Sequence, residues 1–284
     1  MAKLKLPIKR KIFQLFTALL YNSDLVNFTN QTINQNKTKG LCVPGLNCYS
    51  CPGAIAACPL GSLQFAITQI PNKLPFYIVG TLLIFGGLFG RLICGFLCPF
   101  GLIQELLYKI PTPKIKKNSI TRKLSYLKYI LLVVFILILP VVLLAPTFCK
   151  YICPAGTLEA GIPLVVFGNK FDNIVGKLFN WKIFLLLFII ILAVFIYRGF
   201  CKFICPLGAI YSFFNKYSVF GITVNEKRCI NCNKCIKVCK MDVKKVNDHE
   251  CINCGDCINS CPTNAIHWKK IKIRGEKEIE KNKT

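Results

Sequence analysis

The sequence predicts a mainly α-helical integral membrane domain followed by a small α+β domain rich in cysteine. Three observations lead to this prediction. The apolar residues lie in four long runs, each close to the roughly 20 residues that cross a hydrocarbon core of about 30 Å. The phrase Cys-Pro-x-Gly occurs four times within this apolar part of the chain. Eight of the 18 cysteines fall in two evenly spaced runs near the end of the sequence.

Four transmembrane helices are predicted, at about residues 11–28, 75–93, 124–145 and 181–197. Lysines and arginines flank these segments, most densely between residues 109 and 123. By the positive-inside rule, that loop and the basic N-terminal end lie in the cytoplasm. The sequence therefore predicts a multi-pass protein of a prokaryotic cytoplasmic membrane, surrounded by lipid. The first helix is predicted to be an uncleaved anchor, because no small-residue cleavage site follows it.

The composition also excludes some classes of protein. A formal charge of +25, from 37 Lys and Arg against 12 Asp and Glu, would suit nucleic-acid binding. Because the charges flank apolar segments, membrane orientation explains them better, and no nucleic-acid partner is predicted. Long apolar runs likewise argue against a secreted disulfide scaffold, so the cysteines are interpreted as metal ligands.

The repeated phrase supplies most cysteines of the membrane domain. Its four copies begin at Cys58, Cys98, Cys153 and Cys205, and the last three are preceded four residues earlier by Cys94, Cys149 and Cys201. Four residues make about one helical turn, so both thiols of a pair are expected on one side of a helix. One pair cannot complete a four-thiolate site, but two pairs from two helices can.

The predicted membrane domain, residues 1–218, is internally duplicated. Each half contains a span, the phrase and a short stretch, then a second span, phrase and short stretch, over about residues 9–112 and 122–218. The short stretches are predicted to be interfacial helices. Internal repeats of membrane proteins commonly place the functional site where the repeats meet.

The tail contains the spacing C-x2-C-x2-C-x3-C twice, which is typical of iron–sulfur ligands. Over about residues 222–270 it resembles a bacterial two-cluster ferredoxin domain, and residues 271–284 follow as a charged tail. Lys240 stands where this family usually has proline, which removes no ligand. Zinc sites are the competing interpretation. The resemblance implies one [4Fe–4S] cluster on Cys229, Cys232, Cys235 and Cys261, and a second on Cys251, Cys254, Cys257 and Cys239.

Apolar spans ending in Cys-x3-Cys-Pro, combined with a terminal ferredoxin domain, resemble the polyferredoxin membrane proteins of the NapH and NosR type and the related cytochrome-oxidase accessory protein. The resemblance implies a membrane-bound electron-transfer protein, an electron-transfer subunit of an oxidoreductase system rather than a stand-alone enzyme. Its electrons would pass between a cytoplasmic donor or the quinone pool and a partner redox protein. The alternative function is an assembly, maturation or redox-sensing factor for a respiratory metalloenzyme.

The predicted topology divides the remaining cysteines between two faces. At the cytoplasmic face, a third [4Fe–4S] cluster is predicted on Cys94, Cys98, Cys201 and Cys205. At the opposite face, repeat symmetry favours a fourth cluster on Cys51, Cys58, Cys149 and Cys153. Cys42 and Cys48 are then left over as a disulfide or plain thiols, or they join Cys51 and Cys58 in a self-contained site.

Other polar residues narrow the function. The two histidines, His249 and His267, lie in the tail, so no bis-histidine haem is expected in the membrane. Arg91 and Arg198 end equivalent spans, and they either tune a cluster or anchor the helix ends. The sixth residue after each repeated cysteine is expected on the water-facing side of an interfacial helix, although the acidic one could serve a quinone or a proton; these residues are Gln64, Gln104, Glu159 and Tyr211.

Overall fold

The computed structural model describes residues 6–24, 26–27, 30, 32–33, 37–69, 76–115, 117–167 and 176–269. The basic residues before position 6 and the charged tail at 271–284 lie outside these ranges.

Four apolar helices correspond to the four predicted spans. They are α1 (Leu6–Tyr21), α3 (Phe76–Phe89), α6 (Ser119–Leu143) and α9 (Lys177–Phe195). Helices α6 and α9, with 25 and 19 residues, are long and apolar enough to cross a membrane. Helices α1 and α3 have 16 and 14 residues and fall short of that length, so their crossing stays a prediction. Within α6, a π-helical stretch at Val133–Ile138 precedes Pro140, whose missing N–H interrupts regular α-helical hydrogen bonding.

The repeated phrase marks a helix start. Its four proline residues occupy the first turn of α2 (Pro59–Thr68), α5 (Pro99–Leu107), α8 (Pro154–Val166) and α11 (Pro206–Phe214). Proline suits this position because its fixed φ is helical and the first N–H groups have no partner within the helix. The cysteine before each proline is the N-cap residue and is extended, with φ −84° and ψ 116° at Cys98.

The earlier cysteine of each pair lies on a separate short helix. These helices are α4 (Leu92–Phe96), α7 (Thr147–Tyr151) and α10 (Gly199–Phe203). The expectation that both thiols share one helical turn is therefore wrong. The physical reason is the proline, whose ring disfavours helical geometry for the residue before it.

The tail forms a compact α+β unit. Strand β1 (Ile222–Val224) pairs antiparallel with β2 (Ile266–Trp268), with Ile222 opposite Trp268. Helices α12 (Lys234–Val238) and α13 (Asp256–Ser260) follow the first two cysteines of each run, contain the third and pack against each other. The two ends of the domain are thus joined, and the two cysteine runs face each other.

The ferredoxin-type domain packs against the helices that carry the repeated phrase. Met241, Val243 and Ile252 belong to the same buried cluster as thiols of the repeated phrase. A Cβ added to Gly95, between the two cysteines of the second copy, would collide with the carbonyl oxygen of Ile252. The absence of a side chain at Gly95 therefore permits the close approach. Lys117, in the basic loop, donates from Nζ to Ile236 O at 2.6 Å. The basic loop therefore contacts the ferredoxin-type domain.

Candidate iron–sulfur sites

The first site of the ferredoxin-type domain is a cavity of about 170 Å³. Three cysteines of the first run and the last cysteine of the second line it: Cys229, Cys232, Cys235 and Cys261. The Ala265 amide donates to Cys261 Sγ at 3.3 Å. Cys232 is exposed, so this site lies at the protein surface. The fourth cysteine of this cavity, Cys261, comes from the second run, as the ferredoxin resemblance implies.

The second site lies deeper, against the membrane domain. Burial and, to a lesser extent, the neighbouring thiols of Cys251, Cys254 and Cys239 together raise the pKa of the Cys257 thiol to about 12. Such thiols stay protonated unless a positive charge compensates the thiolate, and iron supplies that charge. The donor set therefore fits a four-thiolate cluster, with Cys239 contributed by the other run.

The inner site comprises the thiols of Cys94, Cys98, Cys201 and Cys205, all of them buried in one core. Burial, followed by the neighbouring thiols of Cys201 and Cys94, raises the pKa of Cys98 to about 12. Gln104 Nε2 donates to Cys201 Sγ at 3.0 Å, and Gly208 N donates to Cys205 Sγ at 3.4 Å. These two donors stabilise thiolate charge, as expected around an iron–sulfur cluster.

Arg91 and Arg198 reach across the inner site to opposite halves of the repeat. Arg91 Nη2 donates to Cys201 O at 3.5 Å, and Arg198 Nη1 donates to Cys94 O. Both side chains are fully buried. Their burial beside the inner-site cysteines favours the interpretation that they tune a cluster over that of helix-end anchors, because they place two positive charges beside the inner site.

Two buried carboxylates balance these guanidinium groups. Glu105 Oε1 lies 2.6 Å from Arg198 Nη2, and Glu105 Oε2 lies 2.8 Å from Arg10 Nη2. Glu250 of the ferredoxin-type domain lies 2.8 Å from Arg91 Nη1 and pairs also with Lys128. Burial alone would raise the pKa of Glu250, but Arg91 and Lys128 hold it at about 2. Sequence reasoning missed both carboxylates, although acidic residues are rare in this chain.

The outer site lines a much larger cavity, of about 980 Å³. Four of its thiols come from both halves of the repeat: Cys48, Cys58, Cys149 and Cys153. Gln64 Nε2 donates to Cys149 Sγ at 3.2 Å, as Gln104 does at the inner site. A Cβ on Gly156 would lie 3.7 Å from Cys48 Sγ, which places Cys48 beside the third copy of the phrase.

Cys51 does not line this cavity, in contrast to the set favoured by repeat symmetry. The Cys51 amide donates to Cys48 O at 3.1 Å in a tight turn, and Lys39 Nζ donates to Cys51 O at 3.3 Å. The turn directs Cys48 rather than Cys51 to the outer site. Cys42 lines the cavity as a fifth thiol, and Cys42 and Cys48 are both free thiols.

The sixth residue after each repeated cysteine forms a hydrogen bond with the other half of the repeat. Gln64 Oε1 accepts from Phe148 N at 2.9 Å, and Gln104 Oε1 accepts from Phe200 N at 3.1 Å. Glu159 Oε2 accepts from Cys48 N at 2.7 Å, and Tyr211 Oη donates to Pro44 O at 3.0 Å. Gln64, Gln104 and Tyr211 are fully buried, so the water-facing expectation is wrong for these three residues.

Within the described ranges, no three Cys, His, Asp or Glu side chains are close enough to hold a single metal ion. A [4Fe–4S] cluster binds each thiolate through a different iron, so its four thiolates need not converge on one ion.

Comparison with known proteins agrees with this chemistry. A family described as 4Fe-4S binding domain matches residues 74–118, 128–167 and 179–224, and a second family of the same description matches residues 244–267. No solved structure matches the chain.

Three relatives each match more than half of the sequence. An uncharacterized protein of Methanocaldococcus jannaschii, MJ0750, is 31% identical over 64% of this chain and 70% of its own length. The methylamine utilization ferredoxin-type protein MauN of Paracoccus denitrificans is 29% identical over 62% of this chain and 58% of its own length. The regulatory protein NosR of Stutzerimonas stutzeri is 29% identical over 54% of this chain but 20% of its own length.

The matched segments include the second, third and fourth copies of the repeated phrase and the second cysteine run of the tail. Both family descriptions name [4Fe–4S] binding, and the ferredoxin-type relative MauN agrees with that chemistry. The chain therefore belongs to the NapH- and NosR-like polyferredoxin family of iron–sulfur electron-transfer proteins.

Proposed function

We propose that the protein is a membrane-bound electron carrier that passes single electrons between a cytoplasmic donor or the quinone pool and a partner redox enzyme. The observation that carries this proposal is the order of the four thiolate sites. They follow one another from the exposed surface of the ferredoxin-type domain to the cavity at the outer site.

Each step of this order rests on a contact between protein residues. The helix that carries Cys235 packs against the helix that carries Cys257, which links the two sites of the ferredoxin-type domain. The Ile252 carbonyl abuts Gly95, between the two inner-site cysteines of α4 and α5. Buried thiols of the inner and outer sites then share one hydrophobic core.

When bound, [4Fe–4S] clusters supply one-electron redox chemistry. The chain's own residues hold the thiolates, exclude water from them and set the charge around them. The predicted total is four clusters, on the two ferredoxin-type sets, the inner site, and the outer site with Cys48 in place of Cys51. Two buried guanidinium groups beside the inner site favour the additional negative charge of a reduced state.

For the membrane, we propose four crossings with the ferredoxin-type domain in the cytoplasm. Helices α6 and α9 have spanning length, and apolar side chains of α1 and α3, such as Phe16 and Leu83, are likewise exposed in the isolated chain. Polar contacts between Lys117 or Arg122 and the ferredoxin-type domain place the basic loop beside that domain. The positive-inside rule then assigns this side to the cytoplasm.

The outer cavity is the proposed exit of the electron path. Its volume of about 980 Å³ exceeds the roughly 170 Å³ of the first ferredoxin-type site, so a four-thiolate cluster would leave most of it free. Phe65, Tyr77 and Leu164 give it an apolar lining, which suits a ring-bearing acceptor. A quinone is one such acceptor, and an inserted segment of a partner protein is the other.

The test uses anaerobically purified protein in lipid nanodiscs. We expect about 16 Fe per chain and four distinguishable [4Fe–4S] signals. A soluble low-potential donor protein should reduce all four. The Cys232→Ser variant should slow reduction by the protein donor while leaving reduction by a small, membrane-permeant reductant unchanged. An iron content near 8 with ferredoxin-type signals alone would refute the membrane-domain sites.

The same preparation separates an electron carrier from an assembly factor. A carrier must sustain repeated turnover between the donor and a reconstituted acceptor. An assembly or maturation factor would be dispensable after its target enzyme is complete. Depletion of the protein after the respiratory enzymes have matured should therefore stop electron flow only if the carrier function is right.

A further inference from the structure

The segment Pro44–Asn47 lies between the inner and outer sites and contacts both. Leu46 and Asn47 line the outer cavity, and Leu46 is also buried in the core that contains inner-site thiols. None of its four residues carries a metal-binding side chain, so the segment's position between the sites emerges only from the fold.

Contacts with the inner site fix one end of the segment. A Cβ on Gly45 would lie 3.2 Å from Leu97 O and 3.3 Å from Cys98 Cα, so the segment's backbone lies directly on the Cys98 turn. The fully buried Tyr211 of α11 donates its hydroxyl to Pro44 O at 3.0 Å. The segment is therefore held against both copies of the phrase that form the inner site.

Contacts with the outer site fix the other end. The Cys58 amide donates to Asn47 O at 3.1 Å. The side chain of Asn47 donates to Ala56 O at 3.1 Å and accepts from Asn22 Nδ2 at 3.0 Å. Asn47 is fully buried, so these bonds are shielded from water.

Nearby residues of one short segment therefore contact the two sites. Gly45 lies against the Cys98 turn of the inner site, and the Asn47 carbonyl accepts the Cys58 amide of the outer site at 3.1 Å. Gly45 and Asn47 are two residues apart, so the backbone between these contacts is short.

We propose that Pro44–Asn47 is a bridge that couples the inner and outer sites, with Tyr211 as the residue that positions it. This inference rests on the proposed function, because a bridge is needed only if electrons pass between the two sites. It also removes a difficulty of the predicted topology. Sites at opposite faces of a core about 30 Å thick would be too far apart for a single electron-transfer step. In this structure, one short segment contacts both sites.

The experiment compares four variants of the iron-loaded protein in nanodiscs. Tyr211→Phe removes the hydroxyl that holds Pro44, and Gly45→Ala pushes the segment away from the Cys98 turn. The matched controls are Tyr217→Phe, at an exposed tyrosine, and Gly40→Ala, where an added Cβ meets nothing within 4 Å. Iron content and the separate signal of each cluster report whether the sites themselves survive.

Two measurements test the bridge. Electron paramagnetic resonance of fully reduced protein should show a magnetic interaction between the inner-site and outer-site clusters, which Tyr211→Phe and Gly45→Ala weaken and the controls preserve. Hydrogen exchange of peptides covering residues 43–48 should accelerate roughly tenfold in the same two variants, the size expected for losing one buried hydrogen bond.

The outcomes distinguish this inference from the proposed function. Wild-type protein with about 16 Fe but no magnetic interaction between these clusters would overturn the bridge and leave the electron carrier intact. Unchanged interaction in Tyr211→Phe, despite faster exchange, would also overturn it. If Gly45→Ala loses iron, Tyr211→Phe decides the question, because removal of one hydroxyl leaves all thiols in place. Protein with about 8 Fe would contradict the proposed function before the bridge is tested.

Discussion

The inner and outer sites are built on one duplicated frame, yet their surroundings differ. Each takes thiols from both halves of the repeat, and each has a glutamine that donates to a cysteine sulfur, Gln104 at the inner site and Gln64 at the outer. Two buried arginines and the docked ferredoxin-type domain enclose the inner site. The outer site has no such arginine among the described residues and borders a large cavity.

This difference teaches that the repeated phrase determines where thiolates meet, whereas neighbouring residues determine what each site does. Near the inner site, Glu250 pairs with Arg91 and Lys128, and Glu105 pairs with Arg198 and Arg10, so the network retains an excess of positive charge. At the outer site, the nearby carboxylate is Glu159, whose pKa burial raises to about 7. An enclosed site suits transfer within the protein, and an open one suits contact with an acceptor.

The largest expected effect is loss of one cluster. Cys201→Ser and Cys94→Ser should each remove about 4 of about 16 Fe and abolish one and the same signal. Cys149→Ser and Cys58→Ser should remove a different signal, also with about 4 Fe. Iron analysis with electron paramagnetic resonance measures both. If Cys201→Ser and Cys94→Ser abolished different signals, the assignment of these thiols to one site would be wrong.

A second pair of variants tests the one position where the structure departs from repeat symmetry. Cys48→Ser should abolish the outer-site signal because Cys48 lines the cavity with the other three thiols. Cys51→Ser should retain it, since Cys51 does not line the cavity. Equal iron content in the two variants would contradict the distinction. Cys42→Ser, at the fifth thiol of the cavity, serves as a further control.

A smaller effect is expected from the charges that distinguish the inner site. Arg198→Met leaves the buried Glu105 with Arg10 and the Tyr197 hydroxyl as partners and should lower the free energy of unfolding by about 3–5 kcal/mol. The matched control is Arg122→Met, because Arg122 is partly exposed and lies 3.4 Å from Asp248. That substitution should cost about 1 kcal/mol or less. Denaturant unfolding in detergent measures both, and similar losses would contradict the importance of burial.

The smallest expected effects are shifts of reduction potential. Gln104→Leu removes the hydrogen bond to Cys201 Sγ, and Gln64→Leu removes the bond to Cys149 Sγ. A hydrogen bond to sulfur stabilises the more negative, reduced cluster, so each substitution should lower one potential by roughly 30–60 mV. Each variant is the control for the other in redox titrations. A shift of both potentials in either variant would indicate that the sites are not separately tuned.

The sequence by itself determined the chemistry of the protein and the class of its fold. Cysteine spacing is local and tied to a cofactor, so the ferredoxin-type sets and the inner-site set were predictable without a structure. The apolar runs likewise predicted long helices, although α1 and α3 are shorter than expected. Cys-Pro-x-Gly predicted a change of chain direction, but the proline places its cysteine outside the preceding helix.

Only the tertiary structure decided which distant residues meet. Cys48 and Cys51 are three residues apart and chemically identical, and a single turn selects one of them for the outer site. Arg91 contacts Cys201 and Arg198 contacts Cys94, each in the other half of the repeat. These contacts, like the burial of Gln104 and Tyr211, depend on packing between helices of opposite halves. Periodicity reports which face of a helix is apolar but not which partner covers it, because that contact is made between segments about 100 residues apart.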